Sequence, residues 1–594
     1  MLKTEFDQVE TKWTSDVAII GAGISGLYCA WRLLEADPTV TVTLVERLDR
    51  TGGRLDSDII EVTPGEFVRE EEGGMRFNFG MTELMTLNAA LGLCDEIVQF
   101  PMGTPDNPNR FALRGHSFTL QDAADSDQMI WSQIYNLKSE EIGLSPTDLV
   151  TTAYRNVLYA NGLDYKPGIS PDDWTKFRET CTWKGKTMND WQMWGLLRDM
   201  GYSEECIQML SETIGFTGPF KSMANAGDAF QILADFPKDP QYFTFERGFA
   251  TLPNAIAKRL EHDHSNRVRI VLSANVDQIT RDGDGGFELE ITKAEQRVNA
   301  RPVMLGKSSA KTLCARQVVM AVASQGAQDL FNRSPALRDT PESEKLWDAL
   351  YASLGMKLMK INLYFTRPWW HDTMTGRDAV GFGPNFSNLP INAVYPFYAL
   401  PKDNAESVSE LPEIRDDAPA ALTIYCDFDN TNFWHGLQNV GDMFTSDLQT
   451  RENDKTPQVL YPASELVVAE ARKQMAQLFG TNNVPEPVLT SYRLWDGQED
   501  FEFAYHQWRL SVKDSETRAY LSNPLDGVYV CNEAFSDMHG WVNGSLRSAN
   551  LALAKIGQVM FGQGIEPLAN KACPQPATKA KDSSAARVTG LWGG

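Results

Sequence analysis

The sequence is short of what a nucleic-acid binder, a membrane protein or a disulfide-held scaffold would need. Lys+Arg number 55 against 79 Asp+Glu, a formal net charge of −24. Such a field repels phosphate backbones and anionic lipid, so neither nucleic acid nor a membrane surface is expected as a partner. No stretch is both long and apolar enough to span a bilayer. Residues 379–401 are uncharged but broken by proline, glycine and asparagine, and the more apolar 17–31 is too short. The eight cysteines are scattered with no C-x-x-C pair, which argues against a zinc site or disulfide framework and suits a reducing compartment. The opening residues, MLKTEFDQVETKW, lack the apolar stretch of a signal peptide, so a cytoplasmic location is the expectation. What remains is an ordinary globular composition, 42% hydrophobic and 23% charged in 594 residues. That length predicts two or three domains.

The most informative stretch is 17–54, VAIIGAGISGLYCAWRLLEADPTVTVTLVERLDRTGGR. Residues 16–20 read as a buried strand. Gly21, Gly23 and Gly26 follow as G-x-G-x-x-G. Leu27, Ala30, Trp31 and Leu34 recur with helical spacing, and Val40, Val42 and Leu44 alternate as a second strand ending at Glu46. This is the dinucleotide-binding βαβ pattern. Its glycines serve a tight turn, close approach to a pyrophosphate, and packing of helix on strand, while the acid takes ribose hydroxyls. The helix N-terminus offers N–H groups and a positive dipole end to phosphate.

Two further glycine pairs follow, Gly52-Gly53 before Arg54 and Gly73-Gly74 before Met75-Arg76. A plain reading of Arg76 is an ion pair with Glu70–Glu72. Residues 125–236 read as mostly helical, with Trp131, Trp174, Trp183, Trp191 and Trp194 assigned to packing and prolines breaking the region into pieces. A helix is expected to begin near Pro253. Strands are expected at 268–272, 276–279, 317–322, 358–365 and 422–427, with a hairpin turning at 282–286. Residues 402–419 read as an exposed acidic loop. A late strand, 527–533, ends in Glu533, and HGWVNGS (539–545) opens a final helix; beyond 564 the tail is expected to be loosely held.

Four of these stretches, in order, resemble the flavin-dependent amine oxidase superfamily: GAGISGL with Glu46, RTGGRL, EEGGMRF, and Glu533 with HGWVNGS. The chain is most similar to L-amino-acid oxidases, which share the G-x-M-R arginine and the G-W pair before the last helix. The resemblance implies an α/β protein of amine oxidase fold. A Rossmann-like FAD-binding domain (14–60, 245–335 and 515–565) would be joined by a mixed-sheet substrate domain (61–125 and 340–510), a helical domain (126–240) and a tail (566–594). It implies noncovalent FAD, since no cysteine stands in HGWVNGS. Carried over by position, Glu46 would hold the ribose, and Gly21, Gly23, Gly26, Gly53 and Arg54 the pyrophosphate side. Val276 would meet adenine, and Gly74, Met75, Arg76, Glu533, Trp541 and Val542 would surround the flavin.

The same resemblance assigns chemistry. Arg76 would grip a substrate carboxylate with its planar fork, helped by Tyr395, whose alternative is a core tyrosine. Trp541 would wall the substrate, and the Gly540 carbonyl would accept from its amine. Lys360, with Lys357 the competing position and a surface lysine the plain alternative, would serve reoxidation by dioxygen. His506 and His539 receive no catalytic role. The expected reaction takes an L-amino acid and dioxygen to the 2-oxo acid, ammonia and hydrogen peroxide; a homo-oligomer is possible and no metal is expected. The rivals are an amide-forming L-amino-acid 2-monooxygenase, an amine or polyamine oxidase, and a flavin-loaded protein without turnover.

Overall fold

A computed structural model describes residues 3–103, 109–166, 168–234, 241–294, 296–298, 301–303, 310–376, 379–401, 414–446, 448, 461–498 and 502–575. Much of the expected acidic loop at 402–419 and the end of the tail lie outside the described residues.

The first sheet is organised by Lys12–Ile20. Val17 and Ile19 face one apolar cluster while Ala18 and Ile20 face another, so the strand is buried on both sides, as a central parallel strand requires. It pairs in parallel with Val42–Val45 and with Lys311–Met320. Beyond Val42–Val45 come Val268–Leu272 and then Lys3–Glu5, both parallel. On the other side the hairpin Ala274–Arg281/Phe287–Lys293 lies antiparallel against Lys311–Met320. Residues 318–320 of that strand also carry Val528–Val530 in parallel. The late strand thus returns to the sheet begun at the N-terminus. Helix Ile24–Ala36 buries Leu27, Ala30 and Leu34 and packs on the final helix, Val542–Phe561.

The second sheet runs Leu489–Trp495, Leu358–Phe365, Ala420–Asp427, Ala393–Tyr398, Asn385–Ser387, Arg110–Leu113, His116–Thr119. It is mixed, antiparallel throughout except between Asn385–Ser387 and Arg110–Leu113. Its two faces differ because strand side chains alternate. Met359, Ile361 and Leu363 join an apolar cluster shared with helix Glu465–Leu478. Lys360, Asn362 and Tyr364 point the opposite way, and Lys360 stands opposite Tyr425 on one neighbour and Arg493 on the other.

The helical region includes Pro146–Ala160, Pro171–Thr180, Glu204–Thr213 and Ala226–Ala234. Pro146 and Pro171 sit in first turns, behind Ser145 and Ser170 caps, where a missing N–H costs nothing. Trp131 and Trp174 are buried in its core, and Trp183, Trp191 and Trp194 pack against it.

Two expectations need correction. Cys94 and Cys573 form a disulfide across 479 residues, a bond at odds with the reducing compartment that scattered cysteines suggest. Sequence spacing misses it because the pairing is made by the fold alone. The tail is also held further than its composition predicts: Ile565 and Cys573 are buried, and the Cys573 N–H donates to the Met85 carbonyl. No helix among the described residues is long and apolar enough to cross a membrane.

Candidate active site

A cavity of about 410 Å³ lies between the two sheets and the start of the last helix. One end is built by the glycine turn. Gly21 takes a positive φ of 97°, which glycine alone adopts freely. A Cβ on Gly26 would stand 2.0 Å from the Gly21 carbonyl oxygen, so helix and strand meet there only through hydrogen. Gly26 therefore lies behind the cavity, while Gly21 and Gly23 line it. A Cβ on Gly23 would meet nothing within 4 Å; the space it leaves is cavity. Helix Ile24–Ala36 starts at that point with no side-chain cap, leaving its first N–H groups for a ligand. Glu46 accepts from the Ala22 N–H at 2.7 Å and the Leu48 N–H at 2.9 Å, which fixes its carboxylate at the mouth of the turn. Gly53 and Val276 line the same end.

The second glycine pair has a steric cause. A Cβ on Gly73 would fall 2.0 Å from the Arg54 carbonyl oxygen, and one on Gly74 would press Leu55 at 3.1 Å. Arg54 reaches across to the late strand, donating to Glu533 at 2.6 Å, Asn532 at 2.8 Å and the Ala504 carbonyl at 3.0 Å. Glu533 also accepts from the backbone N–H groups of His506 and Gly540 and from His506 Nδ1. Burial works against its charge, but Arg54 and His506 outweigh that and hold it well below the usual carboxylate range. This knot joins residues 54, 506 and 533 into one wall.

At the far end Gly74, Met75, Arg76, Lys360, Gly540, Trp541 and Val542 line the cavity. Arg76 is buried with its guanidinium 4.9 Å from the Tyr242 ring, 5.7 Å from Phe100 and 5.9 Å from Tyr395. Tyr395 sits behind it, buried and hydrogen-bonded to it, outside the main cavity. The glutamates that a surface reading would pair with Arg76 are themselves buried and face elsewhere. Glu70 accepts from Thr423, Glu72 from Asn362 and Ser491, and Glu71 from Ser57 and the Phe249 N–H. Lys360 is not on the surface: it is buried and donates at 2.6 Å to both the Glu71 and Gly73 carbonyls. Burial lowers it to about 8 against the pull of those glutamates. Lys357 lies outside the cavity wall. Trp541 stacks on Tyr242 with centroids 6.2 Å apart.

Sequence reasoning does not find Phe216, Ile232, Leu358 and Tyr425, which complete this end. Tyr425 is set opposite Lys360 by strand register, which no local spacing encodes. Trp495 and Tyr505 line the cavity, whereas Trp508 is buried away from it against His539.

The family model for flavin-containing amine oxidoreductases matches residues 24–556. The chain belongs to that family. Among known proteins it is similar to aplysianin-A of Aplysia kurodai, 24% identical over 562 residues, covering 92% of this chain and 91% of that protein. It is also similar to an L-amino-acid oxidase of Mus musculus, 27% identical over 360 residues, covering 60% of this chain and 48% of that one. Cyclohexylamine oxidase from Brevibacterium oxydans IH-35A superposes with a TM-score of 0.57 at 17% identity, over 92% of this chain and 99% of that one; the likeness is one of fold.

This flavin-containing amine oxidoreductase has the donor set its cofactor needs. The space beside Gly23, the uncapped helix start and the fixed Glu46 carboxylate suit a pyrophosphate and ribose. The uncapped N-terminus of Val542–Phe561 faces the other end. Among the described residues no cysteine lines the cavity.

Proposed function

We propose that this chain holds FAD noncovalently and oxidises L-amino acids. One amino acid, one dioxygen and one water give the 2-oxo acid, ammonia and hydrogen peroxide. When bound, FAD supplies the acceptor for the hydride that leaves Cα and passes its electrons to dioxygen. The remaining work belongs to the protein. Gly21, Gly23, Glu46, Gly53 and Arg54 hold the phosphate and ribose portion, Val276 the adenine, and Met75, Glu533 and Val542 the ring end.

The observation that carries the reading is Arg76, a permanently charged fork buried among aromatic rings in the cavity wall. A simple amine gives such a group nothing to bind, whereas a zwitterion brings it a carboxylate, and each charge-assisted hydrogen bond there contributes roughly 1.5–3 kcal/mol. Tyr395, hydrogen-bonded to Arg76 from behind, holds the fork in place for that anion. With the carboxylate fixed, the Gly540 carbonyl orients the amine and Trp541 closes the side. Lys360 stands by as the cation that favours charge developing on dioxygen. The test is anaerobic mixing with L- and D-amino acids and with the corresponding amines, followed by assay of peroxide and 2-oxo acid in air. Bleaching by L-amino acids supports the reading. Bleaching by amines alone, or an amide product in place of the 2-oxo acid, refutes it.

A further inference from the structure

His539 is buried in the cavity wall. Its Nδ1 lies 3.0 Å from Asp228 Oδ2 and its Nε2 lies 3.2 Å from the Ala534 carbonyl oxygen. A carboxylate and a carbonyl only accept, so both ring nitrogens must donate. A ring that donates twice is an imidazolium.

Its counter-ion is independently fixed. Asp228 stands on helix Ala226–Ala234, takes the Trp508 N–H at 2.9 Å and lies 3.8 Å from Arg178, which in turn pairs with Asp514. The other charged and titratable groups facing the ring are few. Glu533 adds to the field of Asp228, and together they outweigh burial and hold His539 above its ordinary value. His506 is pushed down to about 4 by burial and stays neutral. Trp508 covers one side with its centroid at 5.0 Å.

A buried ion pair is a weak device for stability, because desolvation offsets its attraction. Its position suggests another use. The chain runs from His539 through Gly540, at φ 79°, into Trp541, the uncapped start of the 20-residue helix Val542–Phe561. All three residues share the cavity wall, so the imidazolium and the positive dipole end act on the cavity with the same sign.

We infer that His539, charged by Asp228, is a built-in cation that stabilises the flavin ring as it gains negative charge on reduction. His539 acts on the cofactor and Asp228 is a positioning residue. The inference rests on the flavin and is independent of which amine-bearing substrate is oxidised.

Sulfite titration of the oxidised holoenzyme tests it, since sulfite adds to the ring only where negative charge there is stabilised. Asp228→Asn and His539→Gln should each weaken sulfite binding about tenfold or more per bound flavin, in line with loss of one near charge. A structural role would instead change flavin content or melting temperature and leave sulfite affinity alone. Where a variant does not retain flavin, the wild-type protein decides. Corrected for the ionisation of sulfite itself, its affinity should show no fall centred near the ordinary imidazole value, because the ring stays charged there; the nearest cavity group to lose charge above it is Lys360, lowered to about 8. Unchanged affinity in either flavin-retaining variant, or a wild-type fall centred near the ordinary imidazole value, overturns the inference.

Discussion

Replacing Arg76 is the perturbation that bears hardest on the proposed substrate. In Arg76→Ala the carboxylate of an incoming amino acid meets a space vacated by the guanidinium and bounded by the Tyr242, Phe100 and Tyr395 rings that had packed around it, with its charge uncompensated. Removing one partner of a buried pair costs roughly 3–5 kcal/mol. Some of that returns here, because the cavity left by the side chain admits water, so about 3 kcal/mol is the working figure. At about 1.4 kcal/mol per tenfold, kcat/KM for L-amino acids should fall by about two orders of magnitude. Arg76→Lys keeps a charge without the fork and should fall in between. The assay is stopped-flow bleaching of the flavin without oxygen, with each L-amino acid run beside its decarboxylated amine. The amine carries no carboxylate, so its rate constant should hold or rise. An equal loss for acid and amine would mean that Arg76 supports the architecture and not the substrate. No loss for either would remove the proposed anchor altogether.

Gly26→Ala should yield protein with little or no bound flavin, read from the absorbance ratio after purification, because its Cβ would stand 2.0 Å from the Gly21 oxygen. Paired Cys94→Ser and Cys573→Ser substitutions should lower stability by about 2–4 kcal/mol, read by denaturant titration, and should expose the segment around Cys573 to limited proteolysis. Lys360→Met should slow reoxidation by dioxygen at least about tenfold while leaving anaerobic reduction within a few-fold, separable by double-mixing experiments. Burial raises Glu71 from 4.5 to about 7, so the fold favours its protonated form. That stability is present at low pH and lost as pH rises through about 7. The melting temperature should therefore decline across this window, and Glu71→Gln should flatten the decline.

The parts of the molecule legible in the sequence are those whose physics is local. The strand–turn–helix at Gly21–Gly26 obeys spacing rules, and the hairpin turning at 282–286 is marked by its own glycines and aspartates. Helices 146–160 and 171–180 begin where serine caps precede proline. The parts that stay hidden depend on pairing across distance. Three consecutive glutamates beside Arg76 read as its ion-pair partners, yet Glu70 and Glu72 are buried and accept from Thr423, Asn362 and Ser491, on strands more than 280 residues away. Tyr425 meets Lys360 through register, and Cys94 meets Cys573 through the whole fold. Arg76 is an intermediate case: its identity is legible beside a glycine pair, but its burial among Tyr242, Phe100 and Tyr395 is not.

The cavity takes walls from Gly21 and from Ser545, and that has a consequence for biosynthesis. A growing chain has no complete berth for its cofactor until almost all of it has left the ribosome. Loading must then be a late, posttranslational event, and truncated products should emerge colourless however well their early strands have formed.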